Sequence, residues 1–170
     1  MTTVVYGDLS AVVGQEFGPS KWIDISQRDV DAFGRITRDL QWIHVDAARA
    51  ADGPFHTTIA HGFFTVSLLT AVVQEVFVVE GTRMAINYGL DKVRFPAPVT
   101  VGSRVRGSCV VVALHRVAGG SQATIRVTIE ADTQAKPVCV ADFLIRYLED
   151  DQSRDGAEAS GDDRGILPRP

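Results

Sequence analysis

The chain has 170 residues, 45% of them apolar, enough to bury the core of one domain. Its formal charge of −4 sits wholly at one end: residues 149–170 hold seven acids and three arginines, leaving 14 acids and 14 bases in residues 1–148. A neutral folded part gives nucleic-acid binding no electrostatic support, and that class of function is set aside.

The opening residues, "MTTVVYGDLS", lack a basic stretch followed by an apolar core and a small-residue cleavage site, so they do not read as a secretory signal. "KWIDIS" is a short strand-like entry. Ser26 with Asp29 three residues later resembles a capping box and predicts a helix start. Val30, Phe33 and Ile36 then recur at helical spacing, so one face is expected to pack inward as far as Thr37 or Arg38, with Gly34 weakening the middle. Next comes "RDLQWIHVDAARA", residues 38–50, in which Asp39 and His44 stand five positions apart. The stretch is too aromatic for an ordinary solvated loop and too broken for a helix. Asp46 is a good N-cap for a short helix over "AARAA", closed by Asp52–Pro54, which leaves Asp39 and His44 on the connection between two helices.

The most apolar run, "GFFTVSLLTAVVQEVFVVEG", is short for a membrane span and is interrupted by Gln74 and Glu75. It predicts a helix from Gly62 to about Val79 that is apolar nearly all round and must be covered on most sides. No membrane role is expected, and a soluble, cytoplasmic protein is. Four long runs rich in Val, Ile and Thr follow, from Thr82, Ser103, Ser121 and Pro137, with turns marked by Pro96 and Pro98, Gly119-Gly120 and Lys136-Pro137. In "ATIRVTIEA", Ile125, Val127 and Ile129 face one way and Arg126, Thr128 and Glu130 the other, so one face of the sheet is wet. Cys109 and Cys139 lie in such runs, without metal-ligand spacing, and read as small buried side chains. The fold class is α+β, an antiparallel sheet wrapped around one long central helix, in a single domain over residues 1–148. The polar, Gly-rich segment 149–170 is expected to be a disordered acidic tail.

Three motifs in order carry a resemblance: "RDLQWIHVD", then "TTIAHGFF" opening the apolar helix, then "KVRFPAPVTVG". Over roughly residues 20–148 the chain resembles the MaoC-like dehydratase and R-specific enoyl-CoA hydratase family. Arg38 stands where that family commonly has Gly, and Gln41-Trp42 where it has Asn-Pro, which is similar to the nodulation-protein-like branch. The resemblance implies a hot-dog fold, Asp39 and His44 as the catalytic pair, Gly62 as the backbone donor to the thioester oxygen, and Thr70 as a pocket-facing hydroxyl. It also implies a homodimer with sites near the interface.

The chemistry asks for such a pair. Hydrating an α,β-unsaturated thioester needs a base to take a proton from the attacking water and an acid to protonate the α-carbon, and one carboxylate and one imidazole on the same water can do both. Charge gathers on the thioester oxygen, where backbone N–H groups stabilise it. No metal, nicotinamide or flavin is required, and CoA enters as part of the substrate. The expected activity is reversible hydration of trans-2-enoyl-CoA to R-3-hydroxyacyl-CoA. The alternatives are a thioesterase of the same fold, in which a carboxylate activates water against the carbonyl, and an acyl-binding subunit without turnover.

Without the surrounding motifs, Asp39 reads equally as a cap or a partner of Arg38, and His44 as a satisfied core imidazole. His61 reads as fixing its loop through a hydrogen bond, Asp46 as a cap, and Trp42 as wall or core. Arg94, Arg104 and Arg106 could touch a CoA phosphate, although strand arginines usually face solvent.

Overall fold

The computed structural model describes residues 1–149; apart from Glu149, the expected acidic tail lies outside the described residues. The elements in order are β1 (Thr2–Val5), a 3-10 segment (Tyr6–Val12), β2 (Glu16–Phe17), β3 (Ile23–Asp24), α1 (Gln27–Thr37), α2 (Trp42–Val45), α3 (Ala47–Ala51), α4 (Gly62–Ser67), α5 (Leu69–Val76), β4 (Phe77–Glu80), β5 (Met84–Arg94), β6 (Arg104–Val117), β7 (Gly120–Ala131) and β8 (Cys139–Leu148). The α+β expectation holds: β2, β6, β7, β8 and β5 form an antiparallel sheet in that order, β3 also pairs with β6, and α5 packs on its inner face.

The four long runs become β5 to β8. Alternation decides which side they bury: Ile125, Val127 and Ile129 are fully enclosed, while Arg126 and Glu130 reach solvent. Val105, Val111, Leu69 and Val72 complete the same core, each fully buried aliphatic side chain contributing about 1.5–3 kcal/mol. Helix and sheet approach closely where Gly107 faces Val72; an added Cβ there would sit 2.7 Å from a Val72 methyl. Cys109 on β6 and Cys139 on β8 are buried and free, as their surroundings predict. On the outer face, ion pairs cross neighbouring strands: Arg104 with Asp132 at 3.0 Å, Arg106 with Glu130 at 2.6 Å and Arg126 with Asp142 at 2.7 Å.

The long apolar helix needs correction. It is two helices, α4 and α5, meeting at Leu68, and residues 77–80 leave it as β4, which pairs in parallel with β1. The break has a local cause. Ser67 donates to the Phe64 carbonyl at 2.6 Å and Thr65 to that of His61 at 3.4 Å, side-chain back-bonds that bend helices. Beyond Val76, three successive residues are Phe, Val and Val, which favour strand, and β1 supplies the partner. Nor is the run covered on most sides, since Phe63 is 75% exposed and Val66 and Leu68 are partly so.

Helix α1 starts as its cap predicts. The Ser26 hydroxyl accepts from the Asp29 N–H at 3.2 Å and donates to the Asp29 carboxylate at 2.5 Å. Its inner face is Val30, Phe33 and Gly34; Ile36, expected inward, is 82% exposed because helical rotation carries it past the α4 contact.

Candidate active site

Every group at the site is set in place by a backbone feature. Helix α1 ends on Arg38 in the left-handed conformation, φ 63°, which turns the chain sharply so that Asp39 follows the helix at once. Rather than lying on plain connection, His44 belongs to a helical turn of its own, α2, inserted before α3. Asp46 then caps α3 as expected, its carboxylate accepting from the Arg49 N–H at 3.0 Å. Gln27, at the start of α1, donates to the His44 carbonyl at 2.7 Å and accepts from the Thr58 hydroxyl at 2.5 Å, tying α1, α2 and the following loop together.

His44 is 6% exposed. Its Nδ1–H donates to the Ile59 carbonyl at 2.7 Å, and since a carbonyl can only accept, the proton is on Nδ1 and Nε2 carries the lone pair. Burial holds its pKa below the ordinary 6.5 and the nearby His61 acts the same way, against the Ile59 hydrogen bond and the Asp39 charge, which raise it. The ring is therefore neutral at neutral pH and able to accept a proton.

His61 is 2% exposed and its ring stacks on that of His44, centroids 3.8 Å apart at 27°. Its Nε2–H donates to the main-chain carbonyl of Asp39 at 2.9 Å, the loop-fixing bond expected of it. Asp39 itself is exposed, and its carboxylate lies with ring nitrogens of His44 and His61 in a cluster whose ligand atoms are all within 4.8 Å of one another. One carboxylate and two imidazoles are a possible metal set. The stacking argues against it: lone pairs lie in the ring planes, and two nearly parallel rings do not converge on one tetrahedral ion. A water between the carboxylate and an imidazole nitrogen suits the arrangement better.

His44 and Gly62 line one largely apolar cleft of about 310 Å³, with Phe55, Thr65, Phe95 and Val138 among its walls. Gly62 is there for space as well as backbone: a Cβ would stand 2.9 Å from the Phe95 ring. Thr70 is not in this cleft. It accepts a hydrogen bond from Asn87 at 3.1 Å and lines a second cavity of about 230 Å³ between α5 and the β5–β8 end of the sheet, with Phe143, Ile145 and Tyr147. It lies eight positions past Gly62, on α5 beyond the break at Leu68.

Trp42 packs against Gly53 under the Arg49 guanidinium, which stands 4.5 Å from its ring centre, and lines neither this cleft nor the second cavity. Arg104 and Arg106 stack on Trp22 and pair with Asp132 and Glu130, and Arg94 donates to its own neighbour's carbonyl at 2.7 Å, so these arginines follow the solvated-face reading. Gln27, Thr58, the Ile59 carbonyl and Phe95 were not singled out from sequence. A main-chain acceptor has no residue-type signature, and Gln27 looks like any first-turn polar residue; Thr58 and Ile59 lie inside "TTIAHGFF" and Phe95 inside "KVRFPAP", but nothing in those motifs marks them individually.

A MaoC-like domain model matches residues 8–134. The chain is 51% identical over 142 residues to 3-hydroxyacyl-thioester dehydratase Z of Mycobacterium tuberculosis, covering 83% of this chain and 94% of that protein. It is 42% identical over 140 residues to nodulation protein N of Rhizobium leguminosarum bv. viciae, covering 81% and 87%. Among solved structures, the R-hydratase PhaJ1 from Pseudomonas aeruginosa superposes with a TM-score of 0.65 at 25% identity, covering 81% of this chain and 83% of that one. With the curled antiparallel sheet around its helix and this match over most of its length, the chain belongs to the MaoC-like dehydratase family, hot-dog in fold and hydro-lyase in reaction class.

Proposed function

We propose that the chain is an R-specific hydratase that interconverts trans-2-enoyl-CoA and R-3-hydroxyacyl-CoA, with Asp39 and His44 as its catalytic pair. The observation that carries this is the tautomer of His44: with Nδ1–H given to Ile59, the lone pair on Nε2 is free for proton transfer, the Asp39 carboxylate lies within 4.8 Å of a His44 ring nitrogen, and His44 lines a cleft with Gly62. In the hydration direction a water held by the pair loses a proton as its oxygen bonds to the β-carbon. The π electrons move toward the thioester oxygen, and the proton held by the pair goes to the α-carbon, so the elements of water are added and the thioester remains intact. The first N–H groups of α4 have no acceptor within the helix, which supports Gly62 as donor to the developing enolate oxygen. Nothing in these steps calls for a metal, nicotinamide or flavin, and CoA arrives as part of the substrate. The Thr70 hydroxyl faces the second cavity, where it is proposed to meet the substrate beyond the reacting carbons.

A homodimer is part of the same proposal. Strand β5 ends the sheet, is 11 residues long, and exposes Met84, Ile86, Tyr88 and Leu90. A long apolar edge with unpaired N–H and C=O groups is a template for another strand, and a second copy of β5 is the simplest partner. Ile36 and Leu40 on either side of Asp39 in the chain, and Phe63 next to Gly62, are exposed, which supports an interface that reaches the site. Two unpaired buried thiols fit the proposed cytoplasmic location.

The test follows loss of the conjugated enoyl-thioester absorbance over a series of acyl-CoA lengths, with chiral analysis of the product. Asp39→Asn and His44→Gln should each lower the hydration rate by roughly two orders of magnitude or more, and the double variant should be little worse than the poorer single, because the two act on one water. Near-normal turnover in either folded single variant removes the pair from the mechanism. Release of free thiol instead of hydroxyacyl product means a thioesterase, and binding without turnover at every chain length means an acyl-binding subunit.

A further inference from the structure

We infer that His61 is a positioning residue for the Asp39–His44 pair, holding Asp39 by its main chain and His44 by its ring face; this rests on the catalytic reading of that pair given above. Three contacts converge on one imidazole. Its Nε2–H holds the Asp39 carbonyl at 2.9 Å, one face stacks on His44 at 3.8 Å, and Phe33 of α1 packs against it with centroids 5.2 Å apart. The slot exists because residue 34 has no side chain: a Cβ there would lie 2.9 Å from the Asp39 carbonyl and 3.4 Å from Cε1 of His61. Gly34, His61 and the Asp39 peptide are thus a single fitted unit, although the first two stand 27 positions apart in the chain.

The remaining nitrogen says which property of the ring matters. Nδ1 of His61 is the one buried side-chain nitrogen or oxygen without a hydrogen-bond partner among the described residues. A position serving only to fill the core would be met by an apolar side chain, which leaves no polar atom stranded in the interior. An imidazole here makes sense if its Nε2–H is required at the far side, where it meets Asp39. The same ring also acts on His44, whose protonation it opposes. Asp39 from the loop and His44 from α2 are the titratable groups facing His61; α1 presents Phe33 and Gly34, and its acids are bonded elsewhere, Asp29 to the Ser26 hydroxyl and Asp31 to the Gln27 amide. His61 touches no reacting atom in this scheme. It sets where the carboxylate starts from and keeps the partner imidazole in its proton-accepting form.

Two substitutions separate the contacts. His61→Phe keeps an aromatic face and removes the donor; His61→Gln keeps a donor at similar reach and removes the ring. In the hydration assay on the full chain, His61→Phe should lower kcat roughly 10- to 100-fold, the scale of a misplacement of about 1 Å, with KM held within about 3-fold, and His61→Gln should recover most of that loss. The His44 ring, followed by NMR through pH, should titrate at a higher midpoint in both variants. Wild-type turnover in His61→Phe overturns the inference, as does glutamine failing to improve on phenylalanine, or a His44 midpoint unmoved in both. Should His61→Phe fail to fold, the His61→Gln midpoint decides alone. If the wild-type chain hydrates no enoyl-CoA, the proposed function falls, while the His44 titration still decides whether His61 governs that ring.

Discussion

The sheet from β6 to β8 and the segment from Gly34 to Gly62 are held together in different ways. In the sheet, order is periodic: alternate side chains enter one core, opposite ones pair across strands, and any single contact is backed by neighbours two residues away. In the segment around His44, order rests on unrepeated contacts, among them the His44 Nδ1–H on Ile59, the His61 Nε2–H on Asp39 and the Gln27 amide on His44. Stability resides mainly in the first region and geometry for chemistry in the second, so substitutions in the two should separate folding from turnover.

The largest effect is expected where the central helix meets the sheet. Leu69 is almost fully buried on α5, and Leu69→Asp would place a carboxylate in the apolar core with no partner, a cost above about 4 kcal/mol against a domain stability of about 5–15 kcal/mol. Soluble, cooperatively unfolding protein should be lost, and an unchanged thermal transition would break the comparison on its stability side. Gly34→Ala sharpens the other side, because two effects oppose each other there. Alanine favours the helix by about 1 kcal/mol, yet its Cβ would press on the Asp39 carbonyl from 2.9 Å, so main chain must shift. Thermal unfolding should move by only a few degrees while kcat falls by roughly tenfold or more.

A smaller and graded effect should come from acid. Because the pKa of His44 is lowered by burial, the unfolded chain takes up this proton at higher pH than the folded one does. The stability that the neutral ring contributes is complete above about pH 6.5 and is lost as pH falls from there toward the folded pKa. The acid limb of kcat/KM should have its midpoint below 6.5, and His44→Gln should remove this part of the acid sensitivity of unfolding. A midpoint above 6.5 would contradict the buried, neutral ring. The smallest effect belongs to the outer face of the sheet. Arg106→Ala breaks an exposed pair with Glu130 and a stacking contact on Trp22, and should cost no more than about 1 kcal/mol in unfolding and leave acyl-CoA affinity unchanged. A large loss of affinity would return Arg106 to the list of CoA contacts.

The same division governs what could be read from the chain alone. Strands β5 to β8 announce themselves through runs rich in Val, Ile and Thr between turn residues, β7 also through period-two alternation, and α1 through the Ser26 cap, because these are local rules. Asp39, His44 and Gly62 stood out by motif, and the fold brings the first two together and puts His44 and Gly62 on one cleft. Thr70, grouped with them through the family resemblance, lines a different cavity, because it sits on α5 beyond the break at Leu68 while Gly62 opens α4. The split at Leu68 and the pairing of β4 with β1 were hidden for another reason. An apolar run of that length suits helix and strand alike until a partner some 75 positions away decides, and β1 is that partner only in three dimensions. Gly34 read as a weakness in its helix, and its meaning depends on Asp39 and His61 arriving beside it.

Cys109 and Cys139 flank β7 from either side, deep under the helix, and burial pushes their thiols up to about 12 and about 11, with the Glu16 charge adding to the first. Alkylating reagents attack thiolate, so neither sulfur reacts at neutral pH while the sheet stays closed. The native chain therefore carries its own unfolding clock. Labelling rates followed by mass spectrometry would report how often β6 and β8 part from the core, with no engineered probe, and their ratio would tell whether the two halves of the sheet open together or one before the other.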